Sequence, residues 1–381
     1  MQPTRIQLLF DEVKKQSRAA LIAYVTAGDP TPERTPGIVA ALERGGVDLI
    51  ELGVPFSDPI ADGPVIQRGA DRALRAGTSV SKVLEMARKI REHSEIPLLL
   101  FTYMNPVLRY GLERLAADAK AAGIDGCLLT DLSVEEAGTG AARPIGQPQA
   151  PGTSAEPASV VPANASDTGT GAARPIGQPQ APGTSAEPDS VVPANSSSTD
   201  PEAARPIGQP QTPGTSAEPD SVVPANSSSG GPEAARPFES QGTPGVPAGS
   251  YIGVMRSAGL DTVFLAAPTS TDARLKLAAQ YSSGFVYLVS RTGVTGERAA
   301  LSNTLEPLIA RTRAVTNLPL AAGFGISTPE QAGVVAKMAD GVVVGSAIVR
   351  MIEKNASSFE KCEAELEAFA RSLRDKMSWR A

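Results

Sequence analysis

Short apolar runs alternate with amphipathic helical patterns along this chain, and this alternation limits the possible folds more than any other feature. Continuous apolar runs of this length are typical of strands in a parallel sheet that is covered on both faces. The predicted strands are Leu21–Thr26, Val47–Leu52, Pro97–Phe101, Gly126–Leu129, Thr262–Ala266, Phe285–Leu288, Leu320–Ala322 and Gly341–Val344. We therefore expect an α/β protein.

Helical patterns lie between these strands, among them Val80–Glu92, Leu305–Thr316 and Pro329–Ala339. Arg5–Lys15 is predicted to form an additional helix before the first strand. Eight strands that alternate with helices in about 270 residues fit a (β/α)8 TIM barrel. A doubly wound open sheet shows the same alternation, so the pattern alone leaves both folds open.

Residues 138–249 have a different composition and separate residues 1–137 from residues 250–381. Arg-Pro pairs begin at positions 143, 174, 205 and 236, which gives a period of 31 residues. Because prolines interrupt every candidate helix or strand and apolar residues are sparse, this segment cannot bury enough surface to offset chain entropy. We expect a disordered, partly polyproline-like insertion rather than a solenoid, with the two flanks forming the halves of one domain.

Composition excludes several classes of function. The net charge of −6 argues against nucleic acid as a main partner. Cys127 and Cys362 make no disulfide framework, and the single histidine, His93, lies in a charged stretch that is expected to be a solvated helix end. Neither a transition-metal site nor a histidine-based triad is therefore expected. No signal peptide or membrane-spanning run is recognised, so a cytoplasmic location is expected by elimination.

Three carboxylates follow one predicted strand closely. Glu51 lies near the end of the strand Val47–Leu52, and Asp58 and Asp62 lie in the proline-rich loop after it. Carboxylates at this end of a strand are where α/β enzymes place acid and base groups, although a solvated acidic loop is the simpler alternative. Apolar neighbours favour the functional interpretation, because a partly dry carboxylate becomes a better base.

The motif Glu51–Pro64 resembles the segment that carries the two catalytic carboxylates of tryptophan synthase α subunits. Further motifs of that family follow in the same order and cover roughly residues 1–137 and 251–355. They are Tyr24–Pro30, Tyr287–Gly296, Gly323–Ser327 and Gly345–Ile348. The resemblance favours the barrel over the open sheet. It also places the insertion in the loop after the fourth strand.

The resemblance implies a retro-aldol cleavage of indole-3-glycerol phosphate to indole and glyceraldehyde 3-phosphate. Glu51 would be the general acid/base, and Asp62 would accept the indole N–H while the ring nitrogen carries positive charge. Both residues have structural alternatives. Glu51 could be a buried glutamate paired with a cation, and Asp62 could be a turn residue before Gly63-Pro64. Asp58 matches a position at the subunit boundary and is expected to serve loop architecture or partner contact.

Other site residues follow from the same resemblance. Tyr287 would hydrogen-bond the active carboxylate or a substrate hydroxyl, and Tyr24, Phe101 and Leu129 would wall the indole pocket, although core packing explains such residues almost as well. Glycines and helix-start amides would bind the phosphate. The phosphate candidates are Gly293, Gly296, Gly323, Phe324, Gly325, Gly345 and Ser346. Plain turn chemistry is the alternative for the glycines.

The resemblance also implies a partner. A β subunit would hold pyridoxal phosphate and form an αββα heterotetramer with this chain, which is expected to bind no cofactor itself. Two other hypotheses remain open at this point. One is a stand-alone indole-3-glycerol-phosphate lyase, and the other is a non-catalytic phosphate-binding scaffold whose repeats recruit partners.

Overall fold

The structure, a computed structural model, describes residues 3–138, 246–289, 298–323 and 325–377, with the backbone alone for 298–304. These residues belong to one compact unit, which is built from 1–148 and 236–381. The expected disordered insertion, residues 138–249, lies outside the described residues except at its two edges. At the second edge Val246 packs against the core, and the Pro247 carbonyl accepts hydrogen bonds from the Ser250 amide and hydroxyl.

Within the described residues, nine strand segments form one sheet. Two of them flank Val263 and together make the fifth strand, so the segments amount to eight strands. These are β1 (Ala20–Thr26), β2 (Leu49–Gly53), β3 (Leu98–Thr102), β4 (Gly126–Leu129), β5 (Asp261–Thr262 with Phe264–Ala266), β6 (Val286–Val289), β7 (Leu320–Gly323) and β8 (Gly341–Val344).

The sheet closes on itself. Its order is β5-β4-β3-β2-β1-β8-β7-β6-β5, because the first part of β5 pairs with β4 and the second part pairs with β6. Neighbouring strands are parallel, with Tyr24 opposite Glu51 and Gly53 opposite Phe101. The fold is therefore a TIM barrel, as predicted, and the open sheet is excluded.

In the described part of the chain, one helix lies at the amino end of the barrel and the others surround it. They are α1 (Arg5–Lys15), α2 (Thr35–Arg44), α3 (Pro64–Arg75), α4 (Val80–Arg91), α5 (Met104–Tyr110), α6 (Leu112–Ala121), α7 (Val134–Ala137), α8 (Tyr251–Ser257), α9 (Asp272–Tyr281), α10 (Arg298–Arg313), α11 (Pro329–Ala336), α12 (Ser346–Lys354) and α13 (Phe359–Met377). A short 3-10 turn, Pro32–Arg34, precedes α2. The predicted helices correspond to α1, α4, α10 and α11, although α10 begins earlier than predicted and contains Pro307.

The predicted additional helix α1 lies at the amino end of the barrel and belongs to its inner core. Ile6, Phe10 and Val13 are buried among the inward-facing strand residues, and the rings of Phe10 and Phe285 lie 5.5 Å apart. A capping box at Thr4 starts the helix. Since α1 fills one end of the barrel with apolar side chains, the opposite, carboxyl end is left for a site.

Aspartates at the amino ends of strands bind arginines. Asp125 directly precedes β4, and its carboxylate accepts hydrogen bonds from Arg5 (3.0 Å), from Arg91 (2.9 Å) and from the Leu98 amide (2.9 Å). Its side chain is 3% exposed. A buried carboxylate with this many donors is well compensated for the loss of water.

Asp48, just before β2, has a similar set of partners. Arg18 binds it through two nitrogens, at 2.8 and 2.9 Å, and Arg374 of the last helix adds a third contact at 2.7 Å. Asp340, before β8, pairs with Arg313. These ion pairs tie the helices to the strand starts at the end of the barrel where α1 lies.

Candidate active site

Glu51 lies in β2 and points into the barrel near its carboxyl end. Its side chain is fully buried, and neither carboxylate oxygen has a hydrogen-bond partner among the described residues. Burial raises the pKa of the Glu51 carboxyl to about 8. The cation that would make it a structural ion-pair residue is missing from the described part of the chain, so the geometry favours a proton-transfer group.

Asp62 lies in the loop between β2 and α3. The Tyr103 hydroxyl donates a hydrogen bond to Asp62 Oδ2 at 2.9 Å and accepts one from the Ala61 amide at 3.2 Å. Burial raises the pKa of the Asp62 carboxyl, and the Tyr103 hydrogen bond partly opposes that increase. Asp62 is therefore held in place by one neutral donor, which leaves an oxygen for another ligand.

One cavity at the carboxyl end of the barrel brings these two carboxylates together with most of the predicted binding residues. Its predicted members are Tyr24, Glu51, Asp62, Phe101, Tyr287, Gly325, Gly345 and Ser346. Three further phosphate candidates, Gly293, Gly296 and Phe324, lie outside the described residues, and Gly323 does not line the cavity. The residues that sequence motifs had placed far apart thus converge on one space.

Two tyrosines cross the cavity wall, and each is accommodated by a glycine on the neighbouring strand. A Cβ atom at Gly53 would overlap the Tyr24 hydroxyl, and one at Gly323 would overlap the Tyr287 hydroxyl. Burial raises the pKa of both tyrosines, so both hydroxyls stay protonated. The Tyr24 ring meets the Phe101 ring edge to face at 5.2 Å, which gives the cavity an aromatic wall.

The amino terminus of α12 forms another part of the cavity. Gly345 precedes the helix and Ser346 begins it, and both line the cavity. The first amides of a helix have no intrahelical partner and attract anions. A Cβ atom at Gly345 would lie 3.2 Å from the Tyr24 Cβ, so a larger residue would crowd this corner. Gly325 adds a turn with a φ of 80° beside it.

Sequence analysis missed several cavity residues and misplaced one. Ile66 and Val343 line the cavity but lie in no motif that was connected with the site, and Ile326 lies in the motif Gly323–Ser327 but was assigned no role. Leu129 was expected to wall the pocket, but it does not line the cavity. Strand residues alternate between faces, and Leu129 packs in the outer core while Leu128 points inward.

Among the described residues, no group of three or more histidine, cysteine or carboxylate side chains could hold a metal ion. His93 is exposed, as predicted.

No helix in the described ranges is long and apolar enough to cross a bilayer.

A family model described as "Tryptophan synthase alpha chain" matches residues 10–143 and 243–378. A tryptophan synthase alpha chain from Solibacter usitatus (strain Ellin6076) is 47% identical over 378 residues, which cover 99% of this chain and 100% of that protein. One from Geotalea uraniireducens (strain Rf4) is 36% identical over 351 residues, covering 92% and 90%.

Solved structures agree with these relatives. The chain superposes on tryptophan synthase subunit alpha from Legionella pneumophila str. Paris with a TM-score of 0.65, at 25% identity and with 99% of each chain covered. A structure of Mycobacterium tuberculosis tryptophan synthase gives a TM-score of 0.64 at 26% identity, with both chains fully covered.

Proposed function

The chain belongs to the tryptophan synthase α chain family, and from that premise we propose that its barrel cleaves indole-3-glycerol phosphate to indole and glyceraldehyde 3-phosphate. One observation carries the assignment to this site. A fully buried carboxyl without a partner among the described residues, Glu51, shares a cavity with a second carboxylate, an aromatic wall and a helix amino terminus. The reaction needs these four features.

Glu51 is proposed to move the protons. Because its pKa lies at about 8, it is mostly protonated at neutral pH and can donate a proton to indole C3. The hydroxyl on the carbon attached to the ring then loses its proton as the carbon–carbon bond breaks. The electrons of that bond neutralise the iminium nitrogen, and the side chain receives the hydroxyl proton. Fixation in β2 keeps the carboxyl aligned for both transfers.

Asp62 is proposed to accept the indole N–H and to stabilise the positive charge that develops on the ring nitrogen. The Tyr103 hydrogen bond supports this role because it favours the ionised carboxylate. The Tyr24–Phe101 wall would contact the indole ring. Tyr287 would hold the active carboxyl or a substrate hydroxyl.

The phosphate is proposed to bind the amino end of α12, through Gly345 and Ser346, together with Gly325. Gly296 and Phe324 belong to the same proposal on the strength of the sequence motifs alone. Loops after the last two strands form the usual phosphate site in TIM barrels. Phe324 and Gly325 follow β7, and Gly345 and Ser346 follow β8, whereas Gly296 follows β6.

A tryptophan synthase β subunit is the proposed partner, in an αββα tetramer, and pyridoxal phosphate would lie in that subunit rather than in this chain. Residues 1–137 and 250–381 are proposed to be the halves of one catalytic domain, with 138–249 as an insertion. A cytoplasmic location fits the two buried free cysteines, Cys127 and Cys362, which would stay reduced there.

Indole release from the purified chain tests the function. We expect slow cleavage of indole-3-glycerol phosphate by the chain alone and faster cleavage with a β subunit. Equal rates with and without the β subunit would favour the stand-alone lyase. Phosphate-ligand binding without any indole release would favour the non-catalytic scaffold and refute the proposed reaction.

A further inference from the structure

One arginine joins three of the elements that surround the cavity. Arg72 of α3 donates through two nitrogens to Asp29 in the turn after β1, with both distances 2.8 Å. Its third nitrogen donates to Glu353 of α12 at 2.9 Å. The Asp29 side chain is fully buried and that of Arg72 is 22% exposed. A bidentate hydrogen bond to a buried carboxylate fixes both the distance and the orientation of the guanidinium group.

The two helices joined in this way carry opposite ends of the proposed substrate site. Pro64 begins α3 directly after Asp62-Gly63, at the end assigned to the indole nitrogen. Ser346 begins α12, at the end assigned to the phosphate. Arg72 itself does not line the cavity. It connects α3 and α12 away from the helix ends that line the cavity. It can therefore affect a ligand only by setting the positions of these two helices.

Packing supports the same arrangement independently of charge. Gly69 lies on the buried face of α3, next to α12. A Cβ atom there would lie 2.9 Å from Val349 Cγ1 and 3.1 Å from both Asp29 Oδ2 and Thr26 Oγ1. The missing side chain therefore lets α3 approach α12 and the turn after β1 closely enough for Arg72 to reach both acids.

We propose that Arg72 is a positioning residue that sets the separation between the Asp62 end and the phosphate end of the cavity. The site then selects ligands whose indole and phosphate groups are joined by a chain of one length. This inference rests on the proposed function. Arg72 would make the length of the site match a three-carbon linker. It would not contact the ligand itself.

Arg68 provides a matched control on the same helix. It binds Glu353 at 2.7 and 2.9 Å, but among the described residues it has no contact with Asp29, and its side chain is 51% exposed. Removing its forked contact leaves all three elements joined through Arg72. An exposed ion pair of this kind contributes little to stability.

The test measures equilibrium binding of three compounds to Arg72→Lys, Arg68→Lys and the unmodified chain. Glycerol 3-phosphate reports on one end, indole on the other, and indole-3-propanol phosphate on their separation. Lysine keeps the positive charge but cannot form the bidentate hydrogen bond to Asp29. We expect Arg72→Lys to bind both fragments within about threefold of the unmodified chain and the linked compound about tenfold or more weakly, because small misplacements are costly for a two-ended ligand. Arg68→Lys should bind all three normally.

A linker series sharpens the result. The unmodified chain should prefer the three-carbon compound over its four-carbon homologue, and Arg72→Lys should lose most of that preference. Arg72 is not a positioning residue if Arg72→Lys loses no more affinity for the linked compound than for the two fragments together. The same conclusion follows if the variant keeps the preference for linker length. An unmodified chain that binds none of the compounds overturns the proposed function itself, which is a separate result.

Gly69→Ala keeps the inference testable should Arg72→Lys fail to fold. The added methyl group would push α3 away from α12 without changing any charge. We expect the same selective loss of linked-ligand binding, and partial recovery when Val349→Ala is added to make room. A loss shared equally by the fragments, or no recovery in the double variant, would contradict the inference.

Discussion

Two deeply buried carboxylates, Asp125 at the amino end of the barrel and Glu51 near its carboxyl end, have opposite surroundings. At the amino end, Asp125 accepts bonds from Arg5 and Arg91 and from a backbone amide. At the carboxyl end, Glu51 is buried as deeply but has no hydrogen-bond partner in the described part of the chain. A buried carboxylate with charged donors is costly to disrupt, whereas a buried carboxylate without donors costs stability and has a shifted pKa. These two positions of one sheet thus differ in their main role, which is stability for Asp125 and chemistry for Glu51.

Replacing the uncompensated carboxyl should have the largest effect on activity. Glu51→Gln keeps the shape of the side chain and removes its titratable carboxyl proton. We expect turnover to fall about 10²–10⁴-fold while glycerol 3-phosphate still binds. Indole release by Glu51→Gln is compared with that of Glu113→Gln, a change at an exposed glutamate on α6 that should leave the rate intact. Near-normal turnover in Glu51→Gln would remove Glu51 from the mechanism.

The matching change at the amino end should act on stability instead. Asp125→Ala leaves Arg5 and Arg91 without their shared acid, and we expect the free energy of unfolding to fall by about 3–5 kcal/mol. Urea titration measures the loss, and kcat and KM of the folded fraction should stay near normal. Glu95→Gln also removes a partner of Arg5, but its side chain is 79% exposed, so the free energy of unfolding should hardly change. Comparable losses in both variants would show that burial does not distinguish the pairs.

The pH dependence of stability gives a second measure of the uncompensated carboxyl. The folded pKa of Glu51, about 8, exceeds the ordinary glutamate pKa of 4.5, so between these pH values the folded state holds a proton that the unfolded state has released. Stability of the unmodified chain should therefore fall through that window as pH rises.

Glu51→Gln has no proton to lose, so its stability relative to the unmodified chain should grow with pH. We expect near equality at pH 5 and an advantage of about 2–4 kcal/mol at pH 9. Urea titrations at both pH values measure it. A difference that is flat between the two would mean that Glu51 is solvated or paired in solution.

The difference between the ends also explains what the sequence alone could predict. Continuous apolar runs identified the strands, and the loop motif identified Glu51 and Asp62, since both signals are local in the chain. The partners of the amino-end aspartates are distant in sequence. Arg374 meets Asp48 across 326 positions, and a contact of that separation has no local signature. Tyr103 was missed for the same reason, because it reaches Asp62 from a different loop.

Tyr103 makes Asp62 an intermediate case, a partly buried carboxylate with one neutral donor, so Tyr103→Phe should have the smallest effect. Loss of the hydroxyl removes a bond that lowers the pKa of Asp62, so that pKa should rise further. The acid side of the activity profile should then move to higher pH, with turnover at pH 6 lower by about two- to tenfold, the range of one hydrogen bond. Tyr110→Phe, which removes a similar bond to Asp118 at 2.7 Å on the outer surface, is the control and should leave the profile unchanged. A uniform fall in rate at every pH would instead mean that Tyr103 supports the loop and does not tune the carboxylate.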